Sequence, residues 1–312
     1  MNATTKARYL KRAALLLVTG SLAAAPALAG QSIYELITGS AARSPIHVTP
    51  LRGHASMLDG SGGNIGVLAG RDGAFLVDAG IAVSKPRIEE TLRTLGVSRI
   101  RYVVNTHWHW DHADGDAWLH ARGATVIASP ATAKHLGQTI RIDEWDHTFT
   151  PAPKGGRPTM FVSAPRTMTI DGETVEIRPY MLSHTDGDLM VRFRKADVLF
   201  TGDIFWNGVY PFIDHNERGS IDGTIKAANW TLTQTGPNTM IVPGHGPLGD
   251  RASLTAYRDM LVAVRDRIAA MKRRGMTADQ VIAAHPTAAY DARWGQGPVY
   301  PALFVALVYR GV

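Results

Sequence analysis

The chain of 312 residues contains no cysteine. Without thiols it forms no disulfide, so its stability rests on its core. Any metal it binds is held by histidine and carboxylate, which excludes iron–sulfur clusters and cysteine-type structural zinc sites. Low-complexity tracts and internal repeats are also missing, as expected of an ordinary globular protein. No apolar run reaches the ~20 residues that a membrane-spanning helix needs. A strong charge is lacking too. The formal net charge is +6, but Lys6, Arg8, Lys11 and Arg12 lie in an N-terminal stretch without acids. The remainder is near neutral, which removes the case for a nucleic-acid partner.

That N-terminal stretch reads as an export signal. Four cations precede the mostly apolar run from Ala13 to Ala25, and Ala27-Leu28-Ala29 supplies a small-x-small cleavage pattern. Lys11-Arg12 is not a true arginine pair, so a twin-arginine signal fits less well. Residues 1–29 are therefore expected to be a signal peptide cleaved after Ala29. The mature protein would be periplasmic or secreted, without stable membrane association. Residues 30–60 read as an irregular N-terminal arm, and 61–312 as one domain.

Within that domain strands and helices alternate, which predicts an α/β protein. Asn64 to Ala69 and Ala74 to Val77 read as a hairpin, with Asp78 in the turn after it. Helical periodicity runs from Ser84 to Leu95, and Gly96 stops it. The β-branched run Ile100 to Asn105 is a buried strand. A helix over 113–122 and a strand over 124–128 follow. Residues 138–165, rich in proline and glycine, read as a long surface excursion, either a functional lid or an insertion without a role. Strands are expected over 168–180, 189–193, 198–201 and 240–242. Helices are expected over 221–234, 254–274 and 277–284, with a last amphipathic element over 299–309.

The chemistry is concentrated in His107-Trp-His109-Trp-Asp111-His112. His107 and His109 follow a strand at i, i+2, a spacing that points both imidazoles to one side. Asp111 and His112 come where the chain turns toward a helix. Imidazole plus carboxylate suits zinc, and iron or manganese are compatible. Three later residues recur in one context, just after an apolar strand and beside glycine or a small polar residue: His184, Asp203 and His245.

These motifs resemble the metallo-β-lactamase superfamily. The match runs through Asp78, Thr106-His107-x-His109-x-Asp111-His112, His184, Thr201-Gly202-Asp203 and Pro243-Gly244-His245. The resemblance implies a single-domain, four-layer αββα sandwich with metals at one edge between the sheets. It implies that His107, His109 and His184 bind one metal, that Asp111, His112 and His245 bind a second, and that Asp203 bridges them. Asp78 would orient a ligand from outside. Two zinc ions per chain would activate a bridging hydroxide, with Asp111 also orienting it.

The implied function is hydrolysis of a small molecule at a carbonyl-type bond: ester, lactone, thioester or lactam. Asp203 resembles the glyoxalase II and lactonase pattern, and export disfavours the cytosolic glutathione thioester. A β-lactamase acting on antibiotics is one alternative, and an iron-dependent redox or sulfur-handling member is another. The aromatic-rich segment from Ile204 to Asp214 could line a substrate pocket. Within it, Tyr210 could donate to an oxyanion or simply pack. Trp108 and Trp110 could wall the pocket or support the metal loop. His215 is the stray histidine nearest this segment.

Overall fold

The computed structural model describes residues 32–312. The expected signal peptide and its cleavage point lie outside the described residues.

Two sheets face each other. The strands of the first are β1 (His47–Pro50), β2 (Ala55–Asp59), β3 (Ile65–Leu68), β4 (Ala74–Val77), β5 (Ile100–Val104), β6 (Thr125–Ala128) and β9 (Met160–Phe161), and they lie side by side in that order. Strands β1 to β4 pair antiparallel, and β4, β5, β6 and β9 pair parallel. The second sheet runs β10 (Arg166–Ile170), β11 (Glu173–Pro179), β12 (Leu189–Phe193), β13 (Val198–Phe200) and β14 (Met240–Val242). Only its β13–β14 pair is parallel. A separate hairpin joins β7 (Ile140–Ile142) and β8 (His147–Phe149).

Period-two alternation sorts the side chains into layers. Phe75, Val77, Val104 and Ile127 of the first sheet pack between the sheets on Val175, Val191, Phe193 and Phe200 of the second. Leu76, Val103 and Val126 point the other way, onto Ile88 and Leu92 of helix Lys85–Thr94 and Leu119 of helix Asp116–Ala121. On the far side, Met190, Leu199 and Ile241 pack on Ile225, Leu261 and Phe304. Those residues come from helices Ile221–Thr233, Arg251–Arg273 and Pro301–Gly311. The result is the expected αββα sandwich.

The described residues differ from the sequence reading in several places. Residues 32–60 are not irregular. They hold helix Ile33–Ala41 and strands β1 and β2. The helix contains β-branched residues and Gly39, which blunts its propensity. It is secured by a capping box, with Ser32 Oγ accepting from Glu35 N at 3.1 Å and Glu35 Oε2 accepting from Ser32 N at 2.9 Å. The excursion over 138–165 contributes the three short strands β7, β8 and β9, and β9 extends the first sheet. Helix Ala288–Trp294 carries no periodic signal strong enough to predict it. The helix expected over 113–122 is split, as Trp110–Ala113 and Asp116–Ala121.

Candidate metal centre

Every candidate ligand sits just beyond the C-terminal end of a strand. His107 and His109 follow β5, and Asp111 and His112 lie in the short helix after it. Asp203 follows β13 and His245 follows β14, the two parallel strands whose ends lie side by side. His184 lies in the loop between β11 and β12. The structure brings all seven residues together in two groups: His107, His109, His184 and Asp203, and Asp111, His112 and His245. Within each group the donor atoms all lie within 4.8 Å of one another.

Glycine makes the close approach feasible. A Cβ on Gly244 would sit 1.9 Å from Asp203 Oδ1, and one on Gly63 would sit 2.3 Å from the His112 ring. Either would push a candidate ligand out of place.

The remote nitrogen of four histidines is taken by an acceptor. His112 Nδ1 meets Asp78 Oδ2 at 2.9 Å, and that oxygen also accepts from the Thr106 hydroxyl at 2.8 Å. A carboxylate only accepts, so His112 donates through Nδ1. The Thr106 hydroxyl spends its proton on Asp78, so His107 Nδ1, 3.1 Å from it, must be the donor there. His184 Nδ1 donates to the Phe212 carbonyl at 3.1 Å. His109 is reversed: its Nε2 donates to Asp214 Oδ2 at 3.0 Å. The bare nitrogens therefore converge. His107 Nε2 and His184 Nε2 each lie 3.0 Å from His109 Nδ1. Lone pairs aimed at each other at that distance repel unless a cation lies among them. Ligands placed tetrahedrally around zinc at its usual bond lengths stand ~3.3 Å apart, so the spacing fits.

Asp203 spans both groups. Its Oδ2 is 3.6 Å from His107 Nε2 and 3.4 Å from His184 Nε2. Its Oδ1 is 3.2 Å from His112 Nε2 and 3.4 Å from His245 Nε2, with no hydrogen bond of its own. Asp111 Oδ2 closes the second group, 3.3 Å from His245 Nε2.

The electrostatics suit a cation. Burial drives His107 well below the ordinary histidine range and His184 down to about 3, so both are neutral and free to ligate. Burial would raise Asp203, but His245, His112 and His107 outweigh it and hold the carboxylate well below its usual range. Burial would lower His112, yet Asp203, Asp111 and Asp78 raise it well above. Without metal, the His112 proton balances the surrounding carboxylates; a bound cation would displace it.

Asp78 is the residue expected to orient a ligand, and it contacts His112 as that role requires. It adopts φ +66°, a left-handed conformation rare for a residue with a side chain. That turn aims its carboxylate inward, where Oδ1 accepts from Thr106 N at 2.6 Å. Asp214 is a site residue that the sequence reading missed. Its only sequence signal is an acid closing the aromatic segment that follows Asp203.

Tyr210 does not reach the site. It is fully buried, stacks on Phe304 with centroids 4.4 Å apart, and donates to Asp291 Oδ1 at 2.8 Å. His215 is likewise elsewhere, its Nε2 donating to the Leu307 carbonyl at 2.8 Å. Trp108 and Trp110 have separate roles. Trp110 lines the cavity over the metal groups, together with Trp145 from the β7–β8 hairpin, while Trp108 packs behind on His109 and Phe149.

This fold and this cluster of histidine and aspartate define a metal-dependent hydrolase. A family model described as the metallo-β-lactamase superfamily matches residues 58–261, and the chain belongs to that superfamily. Among curated proteins it resembles the acyl-coenzyme A thioesterase MBLAC2 of Gallus gallus. The two are 22% identical over 209 residues, covering 60% of this chain and 73% of the relative. Among solved structures, a metallo-β-lactamase of Cronobacter sakazakii superposes with a TM-score of 0.61 at 21% identity, covering 76% of this chain and 99% of that one. A double mutant of the sec-alkyl sulfatase PisA1 superposes with a TM-score of 0.61 at 16% identity, covering 88% of this chain and 51% of that one.

Proposed function

We propose that this chain is an exported hydrolase that holds two zinc ions and cleaves a carbonyl-type bond, an ester, lactone or thioester, in a small molecule. The observation that carries the reading is Asp203, whose two oxygens face the two ligand groups separately. His107, His109 and His184 would hold one ion, Asp111, His112 and His245 the other, and Asp203 would touch both. The thioesterase name of the curated relative supports an acyl bond. Export is part of the same proposal and rests on the pattern of residues 1–29.

When bound, two such cations lower the pKa of a water and polarise the bond under attack. The protein's own groups do the rest. Asp78, the Phe212 carbonyl and Asp214 keep the imidazoles turned with their lone pairs inward. Asp111 lines the cavity, and its carboxylate would orient the attacking water. Trp206, whose ring centroid lies 4.0 Å from that of His245, lines the same cavity.

The test is metal quantitation of the purified protein together with turnover of aryl esters, acyl-homoserine lactones, thioesters, a phosphodiester and a chromogenic cephalosporin. Two zinc ions per chain with hydrolysis of an ester, lactone or thioester is the expected result. Turnover of the cephalosporin alone would make the protein a β-lactamase instead. One iron per chain without acyl hydrolysis would place it among redox members and overturn the proposal.

A further inference from the structure

The cavity that opens on the ligand groups has walls the family match does not include. Its polar lining is Ser40, Ser44, His109, Asp111, Asp203 and His245, and the rest is apolar or glycine. One wall is helix Ile33–Ala41, which turns Ile33, Leu36, Ile37 and Ala41 toward the cavity. These positions recur at i, i+3, i+4 and i+8, one face of a helix. Another wall is Val299, just before the last helix, and Leu303 in its first turn. Both lie outside residues 58–261. Trp110, Trp145 and Phe212 complete the enclosure, and no lysine or arginine lines the cavity among the described residues.

The apolar wall is anchored, not loosely laid over the site. Tyr34, next to Ile33 in the same helix, stacks on His147 of β8 with centroids 3.5 Å apart and an interplanar angle of 13°. Tyr34 also meets Trp110 at 5.3 Å. The helix and the β7–β8 hairpin thus hold each other beside the metal groups. An anionic acyl group would find no cation on these walls. A flexible hydrocarbon chain would replace water against Ile37, Leu36 and Leu303, and that exchange is favourable in proportion to its length.

We propose that this cavity is an acyl-chain subsite, and that the substrate is an ester, lactone or thioester that carries an uncharged, apolar acyl chain. The inference rests on the hydrolase reading for its reactive bond, and on the cavity walls for its specificity. In the reaction the carbonyl carbon gains the water oxygen, the acyl C–O or C–S bond breaks, and the leaving oxygen or sulfur takes the water proton. An ester or thioester gives a free acid and an alcohol or thiol, and a lactone opens to a single hydroxy acid.

Two measurements test it, one independent of turnover. Trp110, Trp145 and Trp206 line the cavity, so tryptophan fluorescence reports occupancy. Titration of the intact protein with n-alkyl alcohols from butanol to decanol should show affinity rising about three- to fourfold per methylene until the cavity is full. Across aryl esters of the same chain lengths, kcat/KM should rise by a similar factor. The substitution Ile37→Trp should fill the wall and remove the gain in kcat/KM with chain length; Leu36→Phe is the milder second variant should the first fold poorly, as judged by its melting curve. Alcohol affinity that does not depend on length, or a preference for succinyl over butyryl esters, would overturn the subsite even if the enzyme hydrolyses esters. Length-dependent alcohol binding with no acyl hydrolysis would sustain the subsite and overturn the hydrolase reading alone.

Discussion

Replacing Asp78 with asparagine changes one atom of the carboxyl group and should disarm both halves of the metal centre. Asparagine tolerates the left-handed backbone at this position, so the turn should survive. Its carbonyl must stay on the Thr106 amide, now 2.6 Å from Oδ1, which puts the NH2 where Oδ2 faces His112 and the Thr106 hydroxyl. That NH2 donates, so His112 Nδ1 becomes an acceptor and the ring proton moves to Nε2, the atom facing Asp203. The Thr106 hydroxyl is freed at the same time. It can donate to His107 Nδ1, which puts a proton on His107 Nε2 as well. Restoring either lone pair means setting two donors against each other, at a cost of about 1–3 kcal/mol per histidine. The corresponding loss of metal affinity is ~10–100-fold for each ligand affected, a magnitude typical of groups that orient metal ligands. Hydrogen bonds are exchanged more than lost, so the fold should weaken by only about 1 kcal/mol, a drop of ~2–4 °C in Tm. The assay is zinc titration against a competing chelator, with thermal melts of the metal-free protein alongside. An Asp78→Asn protein that binds both ions within threefold of the parent would refute the tautomer reasoning. A large fall in Tm would show instead that Asp78 matters chiefly to folding.

Three further outcomes follow from the same geometry. Asp214→Asn should reverse the His109 tautomer and lower zinc affinity and kcat/KM by ~10–100-fold with little change in melting; activity near the parent level would remove Asp214 from the site. Tyr210→Phe should cost about 1 kcal/mol of stability through the lost bond to Asp291 and leave kcat within twofold, whereas a hundredfold fall would restore Tyr210 as an oxyanion donor. Asp116 is buried, and burial raises its carboxyl well above the usual range despite the 3.0 Å bond from Asn105. The folded state therefore binds a proton more tightly than the unfolded one. Stability should be greatest below the unfolded carboxylate pKa of ~3.9 and be lost as pH rises toward the elevated folded value, as far as this group alone decides it. Asp116 Oδ2 and Asn105 Oδ1 are both without hydrogen-bond partners, so Asp116→Asn should supply the missing donor and raise Tm at pH 8; a lower Tm there would contradict the assignment.

The metal ligands were legible because the chemistry is local in sequence. Four of the seven fall within six residues, and the other three repeat one pattern, a strand end next to glycine or a small polar residue. The sheets were legible where apolar, β-branched runs are strong, as at Ile100–Val104 and Leu189–Phe193. Helix Ile33–Ala41 was not, though its Ser32-x-x-Glu35 capping signature was present, because its propensity is weak and its stability comes from packing on Trp110 and the β7–β8 hairpin. Tyr210 could not be placed from sequence, because its partners Asp291 and Phe304 lie far along the chain.

By itself, then, the sequence determined which atoms can ligate. Histidine and aspartate carry their donor chemistry wherever they are placed, and the absence of cysteine leaves no rival. Only the tertiary structure decided the rest. It turned His109, His112 and His184 through acceptors far along the chain, set the two oxygens of Asp203 toward different groups, and brought helix Ile33–Ala41 and the last helix over the site as an apolar wall. Those outcomes depend on contacts between residues far apart in the chain, which local periodicity does not encode.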